Sequence, residues 1–227
     1  MTGPTTLDST VGADRLLPRI VGHLEDGGLL ACPTDTVYGL GAAVDEEGVG
    51  RLSEFKARLP GKPFVVLLPE LTGYPGAWDE EFRSWGLELS ADALALSRAL
   101  WPGPLTLVVL DPAGRFPEGV RGPAGGVAVR ICSHPFVRAL LGRWKRPLLS
   151  TSANPPGESP AVTAIGLAER LSARPHADRL WIVDAGPLKP SRPSTLIDCA
   201  GNGCRVLREG AVPLERIREL VPRIETE

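Results

Sequence analysis

The stretch Lys56-Ala57-Arg58-Leu59-Pro60-Gly61-Lys62-Pro63 holds three cations within seven residues. Such a density of fixed charge is what a triphosphate or a reacting carboxylate requires. On one continuous helix, Lys56 and Arg58 would point about 200° apart. The Pro-Gly-Lys-Pro break lifts that restriction, because all three charges can face one cleft once the chain leaves the helix. A solvated basic helix end favoured by the macrodipole is the plain alternative.

Two further runs place small polar groups after apolar strands. In Pro33-Thr34-Asp35-Thr36-Val37-Tyr38-Gly39-Leu40-Gly41, hydroxyls and a carboxylate follow the buried segment 29–32, a position where open α/β sheets bind ligands. An Asx or Ser/Thr turn would use the same residues. Gly39-Leu40-Gly41 hints at a dinucleotide loop, but Val44 occupies the third glycine position. In Ser150-Thr151-Ser152-Ala153-Asn154-Pro155-Pro156-Gly157, four small hydrogen-bonding side chains can meet phosphate oxygens or amino-acid polar groups at little entropic cost. A capping turn fits equally well. Arg130, at the end of Val127-Ala128-Val129-Arg130, needs an anionic partner, either a ligand or an aspartate. Pro193-Ser194-Thr195 and Arg208-Glu209-Gly210 add hydroxyls and charge.

Several function classes are excluded. A formal net charge of -2 gives no polycationic field, so any anion must be held by a local basic cluster. There is no P-loop, since Gly61-Lys62 is followed by Pro63. No GxSxG elbow is present, and only His23, His134 and His176 could serve a serine nucleophile as base. Histidines and cysteines lack zinc spacing, so metal should enter only as Mg²⁺ carried with a nucleotide. Cys32, Cys132, Cys199 and Cys204 read as buried thiols, with a metal or disulfide at the nearby Cys199 and Cys204 as the alternative. The polar N-terminus and the lack of a long apolar stretch point to a cytoplasmic protein.

The elements that must position these residues alternate. Helices are expected over 14–26, 46–56, 91–101, 134–142, 163–171 and from Pro213 onward, with Asp14 capping the first. Strands are expected at 29–32, 64–68, 105–110, 127–131, 148–150, 181–184, 194–198 and 204–208. This predicts one α/β domain over 14–227 with a mixed sheet covered by helices. Residues 1–13 read as a loose leader and Leu71 to Leu89 as a surface insertion.

In this order, the segments resemble the YrdC family of threonylcarbamoyl-AMP synthases, also called the TsaC or Sua family. The markers are Pro33 to Leu40, the KxR of Lys56 and Arg58, Trp101-Pro102-Gly103-Pro104-Leu105-Thr106, Val129-Arg130, the SxN of Ser152 and Asn154, Pro193-Ser194-Thr195 and Leu207-Arg208-Glu209-Gly210. The resemblance implies a twisted mixed sheet flanked by helices, with a large positively charged cleft. It also implies a reaction joining L-threonine, bicarbonate and ATP, with Mg²⁺, for the t6A modification of tRNA. By resemblance Thr34, Thr36, Arg130, Thr151 and Ser194 would hold threonine, and Arg58, Lys62, Ser152, Asn154, Ser159 and Arg208 would hold ATP. Lys56 would neutralise charge at the reacting centre. Further implied partners are tRNA or double-stranded RNA and downstream threonylcarbamoyl-transfer proteins; a paralogue that binds RNA without synthase activity is the alternative. Lys62-Pro63 replaces the Asn-Pro of many longer members, Leu67 aligns with a histidine, and the chain resembles the short form.

Overall fold

The computed structural model describes residues 3–9, 12–59, 61–71, 78–155, 158 and 163–226. Its strands are β1 (Thr5–Asp8), β2 (Leu29–Pro33), β3 (Tyr38–Gly41), β4 (Val65–Leu67), β5 (Leu105–Leu110), β6 (Gly126–Arg130), β7 (Leu148–Ser152), β8 (Leu180–Asp184), β9 (Thr195–Gly201), β10 (Gly203–Arg208) and β11 (Glu225–Thr226). They form one mixed sheet in the order β1-β8-β2-β3-β7-β4-β6-β5-β9-β10-β11. The helices are α1 (Ala13–Glu25), α2 (Glu46–Lys56), α3 (Trp78–Ser84), α4 (Ala91–Leu100), α5 (Pro135–Trp144), α6 (Ala164–Leu171) and α7 (Leu214–Leu220). Among the described residues, no helix is long and apolar enough to cross a membrane.

Strand alternation divides the core into two clusters. Leu29 and Ala31 of β2 join one cluster, with Leu52 and Phe55 of α2, Leu96 of α4 and Ile217 of α7. Leu30 and Cys32 join the other, with Leu16, Ile20 and Leu24 of α1 and Val137, Leu140 and Leu141 of α5. A strand buried on both faces reads as a continuous apolar run, as β2 does. On the second face, α1 and α5 pack over the β2 side of the sheet. Beyond them, the outward side chains of β4, β6, β5 and β9 line a cleft.

Five readings of the sequence are revised. Residues 5–8 are not a loose leader: they pair parallel with β8, and Leu7 enters the second cluster. Within 71–89, residues 72–77 lie outside the described set, and the remainder is no surface insertion, because Phe82 is buried and Trp78 and Trp85 pack against the first cluster. Gly39-Leu40-Gly41 belongs to β3, paired on both edges, so it is not a dinucleotide loop. A Cβ on Gly41 would stand 2.7 Å from the Leu149 carbonyl oxygen, and glycine permits that close approach. Cys199 and Cys204 are buried as expected, but joined in a disulfide across the β9–β10 hairpin; Cys32 and Cys132 are free and buried. The first helix starts at Ala13 with Gly12 at its N-cap, two residues before the expected cap, so Asp14 lies within the first turn.

Candidate functional site

Period-two alternation builds the cleft floor. On β6, Val127 and Val129 face the core, while Gly126, Ala128 and Arg130 face outward; on β9, Ile197 and Cys199 face the core, while Leu196, Asp198 and Ala200 face outward. With Val108, Val65 and Leu67 they floor a cleft of about 720 Å³, within the range of small-molecule sites. Thr34, Thr36, Arg58, Thr151, Ser152, Asn154, Ser194 and Arg208 complete its polar wall.

Arg58 reaches this wall because α2 ends abruptly. Ala57 adopts a left-handed conformation (φ 45°, ψ 49°), and the Ala57 and Arg58 amides donate back to Glu54 and Ser53. The chain therefore turns at Ala57, before the expected Pro-Gly-Lys-Pro break. Arg58 then donates to the carbonyls of Lys62 and Pro63 (both 2.6 Å), approaches Thr151 Oγ1 at 3.4 Å and lies over the Phe64 ring at 4.3 Å. Burial pulls the Arg58 pKa below its ordinary value.

Lys56 is placed differently. It is 8% exposed, does not line the cleft, and its ammonium donates to the backbone carbonyls of Ser152 (2.9 Å) and Asn154. Burial, with smaller repulsion from Arg58 and Arg174, brings its pKa down to about 8. The KxR lysine thus braces the SxN loop from beneath. Lys62 lines a neighbouring hollow that shares Arg58 and Pro63 with the cleft. The three cations therefore do not share one wall.

The other polar residues form two groups. Arg130 donates to Gly103 O at 3.2 Å, approaches Thr36 Oγ1 at 3.4 Å and pairs with Asp35. Its anionic partner within the fold is thus an aspartate. Arg208 donates twice to Ser194 O (2.9 and 3.2 Å), and Ser194 Oγ meets Thr106 Oγ1 at 2.8 Å. Burial, then repulsion from Arg130, lowers the Arg208 pKa. Thr34 spends its hydroxyl on the hairpin turn, donating to Val37 O at 2.6 Å and accepting from the Thr36 and Val37 amides. Asn154 spends its amide nitrogen on Pro155 O and Glu158 O, and its Oδ1 is buried without a partner among the described residues. Ser159 lies outside the described residues.

Sequence reasoning passed over Asp35, Thr106 and Asp198 as site residues. A polar side chain inside an otherwise apolar strand was the available signal for the last two. Thr195, by contrast, is a clasp. It donates to Val212 O at 2.7 Å and accepts from the Gly210 and Val212 amides at 3.0 Å each. A Cβ on Gly210 would lie 2.1 Å from Pro193 O, so the Arg208-Glu209-Gly210 run can press on Pro193-Ser194-Thr195 only with glycine there. Thr195→Val strands these buried groups and is expected to cost about 2–3 kcal/mol. Thermal melting should read a drop of roughly 4–12 °C; a shift below about 1 °C would deny the clasp.

The sequence model of the Sua5–YciO–YrdC family, described as telomere recombination, matches residues 23–210. The chain belongs to this family. It is 33% identical over 204 residues to the threonylcarbamoyl-AMP synthase of Pyrococcus abyssi, covering 89% of this chain but 56% of that relative. It is 39% identical over 163 residues to the enzyme of the same name from Xanthomonas oryzae pv. oryzae, covering 69% of this chain and 81% of the relative. The fold superposes on the crystal structure of P. abyssi Sua5 complexed with L-threonine, with TM-score 0.82, 29% identity, and coverage of 100% of this chain and 63% of that one. The mixed α/β sheet is thus the family's fold. The chain spans little more than half of the Pyrococcus relative.

Proposed function

We propose that this chain is an L-threonylcarbamoyladenylate synthase, consuming L-threonine, bicarbonate or CO₂ and ATP. The observation that carries the reading is the cleft wall on which Arg58, Arg130 and Arg208 each stand beside a hydroxyl, at Thr151, Thr36 and Ser194. With Asp198 as the one carboxylate among the described lining residues, the wall is net positive despite an overall charge of -2. A local cation cluster in an acidic chain favours a small polyanion over a long nucleic acid.

In this reading the threonine amine forms an N–C bond with CO₂ and loses a proton, giving a carbamate. A carbamate oxygen attacks the α-phosphorus of ATP, the bond to the β-phosphate oxygen breaks, and pyrophosphate leaves. Adenylyl transfer needs little covalent help, so fixed cations at the developing charge are the chain's main contribution. Arg130 with Thr36 beside it, and Ser194 on the same wall, hold the threonine carboxylate and hydroxyl, and Thr34 shapes the turn that presents Thr36. Arg58, Arg208, Ser152 and Asn154 receive ATP, while Thr151 belongs to the threonine set; Lys62 meets outlying phosphate, and Ser159 belongs to the same ATP set. Lys56 keeps the 152–154 loop in place.

Mg²⁺ enters with the nucleotide. The single domain over 14–227, now joined by β1, and a cytoplasmic place of action belong to the same proposal. So does delivery of the product to tRNA for t6A by transfer proteins. The test is to incubate purified protein with ATP, Mg²⁺, threonine and bicarbonate. Threonine-dependent pyrophosphate and threonylcarbamoyl-AMP are the expected products, and folded protein that makes neither rejects the reading.

A further inference from the structure

Asp35 stands outside the cleft lining, yet it is the most heavily bonded carboxylate near it. Its Oδ1 accepts from Arg130 Nη2 and from Cys132 Sγ at 3.0 Å; its Oδ2 accepts from the Ser133 amide at 3.2 Å and the Ser133 hydroxyl at 2.9 Å. A carboxylate offers about four lone-pair sites. All of them are used, so Asp35 has none left for a substrate, a metal or a proton in transit.

The guanidinium it touches has three of its five N–H groups engaged. Of its five N–H groups, Nε binds Gly103 O, one on Nη2 binds Asp35 and one on Nη1 approaches Thr36. Among the described residues one N–H on each terminal nitrogen is left without a partner, which gives a carboxylate two donors on one guanidinium. A fork works only if the plane of the guanidinium is fixed, and side chains 7% and 11% exposed leave this pair little room to rotate. Asp35 also ties the β2–β3 turn to the residues leaving β6, so Thr36 and Arg130 are held by the same anchor.

We infer that Asp35 is the positioning residue of the amino-acid half of the site: through Arg130 it sets the fork that receives the α-carboxylate of the amino-acid substrate. Its charge also compensates that of Arg130. The seat is therefore left close to neutral, which suits a zwitterionic amino acid better than a triphosphate chain.

This inference rests on the synthase reading, and both can be tested with steady-state pyrophosphate release by wild type, Asp35→Ala and Asp35→Asn. Asp35→Ala is expected to raise the threonine KM by about tenfold or more, with the ATP KM within about twofold. Asp35→Asn keeps one acceptor for Arg130 but loses the charge-assisted bond, so a smaller, equally selective rise of about threefold is expected. Equal changes in the two KM values mean a merely structural residue and overturn the inference, as does an unchanged threonine KM in either variant. If Asp35→Ala does not fold, Asp35→Asn decides by the same split. Wild-type protein without threonine-dependent pyrophosphate release defeats the synthase reading, whereas an active wild type with indifferent variants defeats only the role of Asp35.

Discussion

Arg130→Ala is expected to raise the threonine KM about a hundredfold or more while changing the ATP KM by less than about threefold. Two charge-assisted bonds to a carboxylate, each contributing about 1.5–3 kcal/mol, are lost. The opposite ranking of the two KM changes would overturn the assignment of Arg130 to threonine. The same substitution should also lower stability, because Asp35 would be left buried without its counter-charge, a loss of about 3–5 kcal/mol. Burial alone would raise the Asp35 pKa, but Arg130 and the bonds from Cys132 and Ser133 carry it below its ordinary value. A depressed carboxyl pKa contributes stability above its unfolded value of about 4 and loses that contribution as pH falls through the folded value. The gap in melting temperature between wild type and Arg130→Ala is therefore largest at neutral pH and narrows in acid. A gap that widens in acid contradicts the pairing.

Arg58→Ala is expected to lower kcat by about 10²–10³, the usual effect of removing one preorganised donor from developing charge, and Lys56→Ala to lower it by about 10², the cost of letting the 152–154 loop shift. Their stabilities should differ. Arg58 stands on the wall with its guanidinium partly open to the cleft, so its loss costs about 1–2 kcal/mol of stability. Lys56→Ala strips the donor from two backbone carbonyls and empties a buried volume, a larger loss of about 2–4 kcal/mol. Thermal melts beside turnover numbers separate the two roles. An Arg58→Ala variant that melts lower than Lys56→Ala would reverse the assignment of wall and brace.

Much of the scaffold was legible in the sequence because its signals are local. The strand at 105–110 lies as expected, and the strands at 29–33, 126–130 and 203–208 fall within a residue of expectation, since apolar alternation and flanking glycines or prolines mark them. The strand at 5–8 was not legible. Thr5-Thr6-Leu7-Asp8 has one buried side chain and becomes a strand only by pairing with Trp181 to Asp184. The helix at 78–84 was hidden for a similar reason, as its charged exterior masks the single buried anchor Phe82.

The candidate site divides the same way. By itself the sequence determined which residue types are available: arginines and small hydroxyls at the ends of apolar segments, with an arginine in a valine strand that demanded a counter-charge. Only the tertiary structure decided which of them meet. It joined Arg130 to Asp35 and Arg208 to Ser194, sent Lys56 beneath the 152–154 loop instead of to the reacting centre, and left Lys62 in the next hollow. Residue type and spacing act over a few positions along the chain. Orientation at a site depends on pairing between strands distant in sequence and on a single left-handed residue, Ala57, which no local pattern announces.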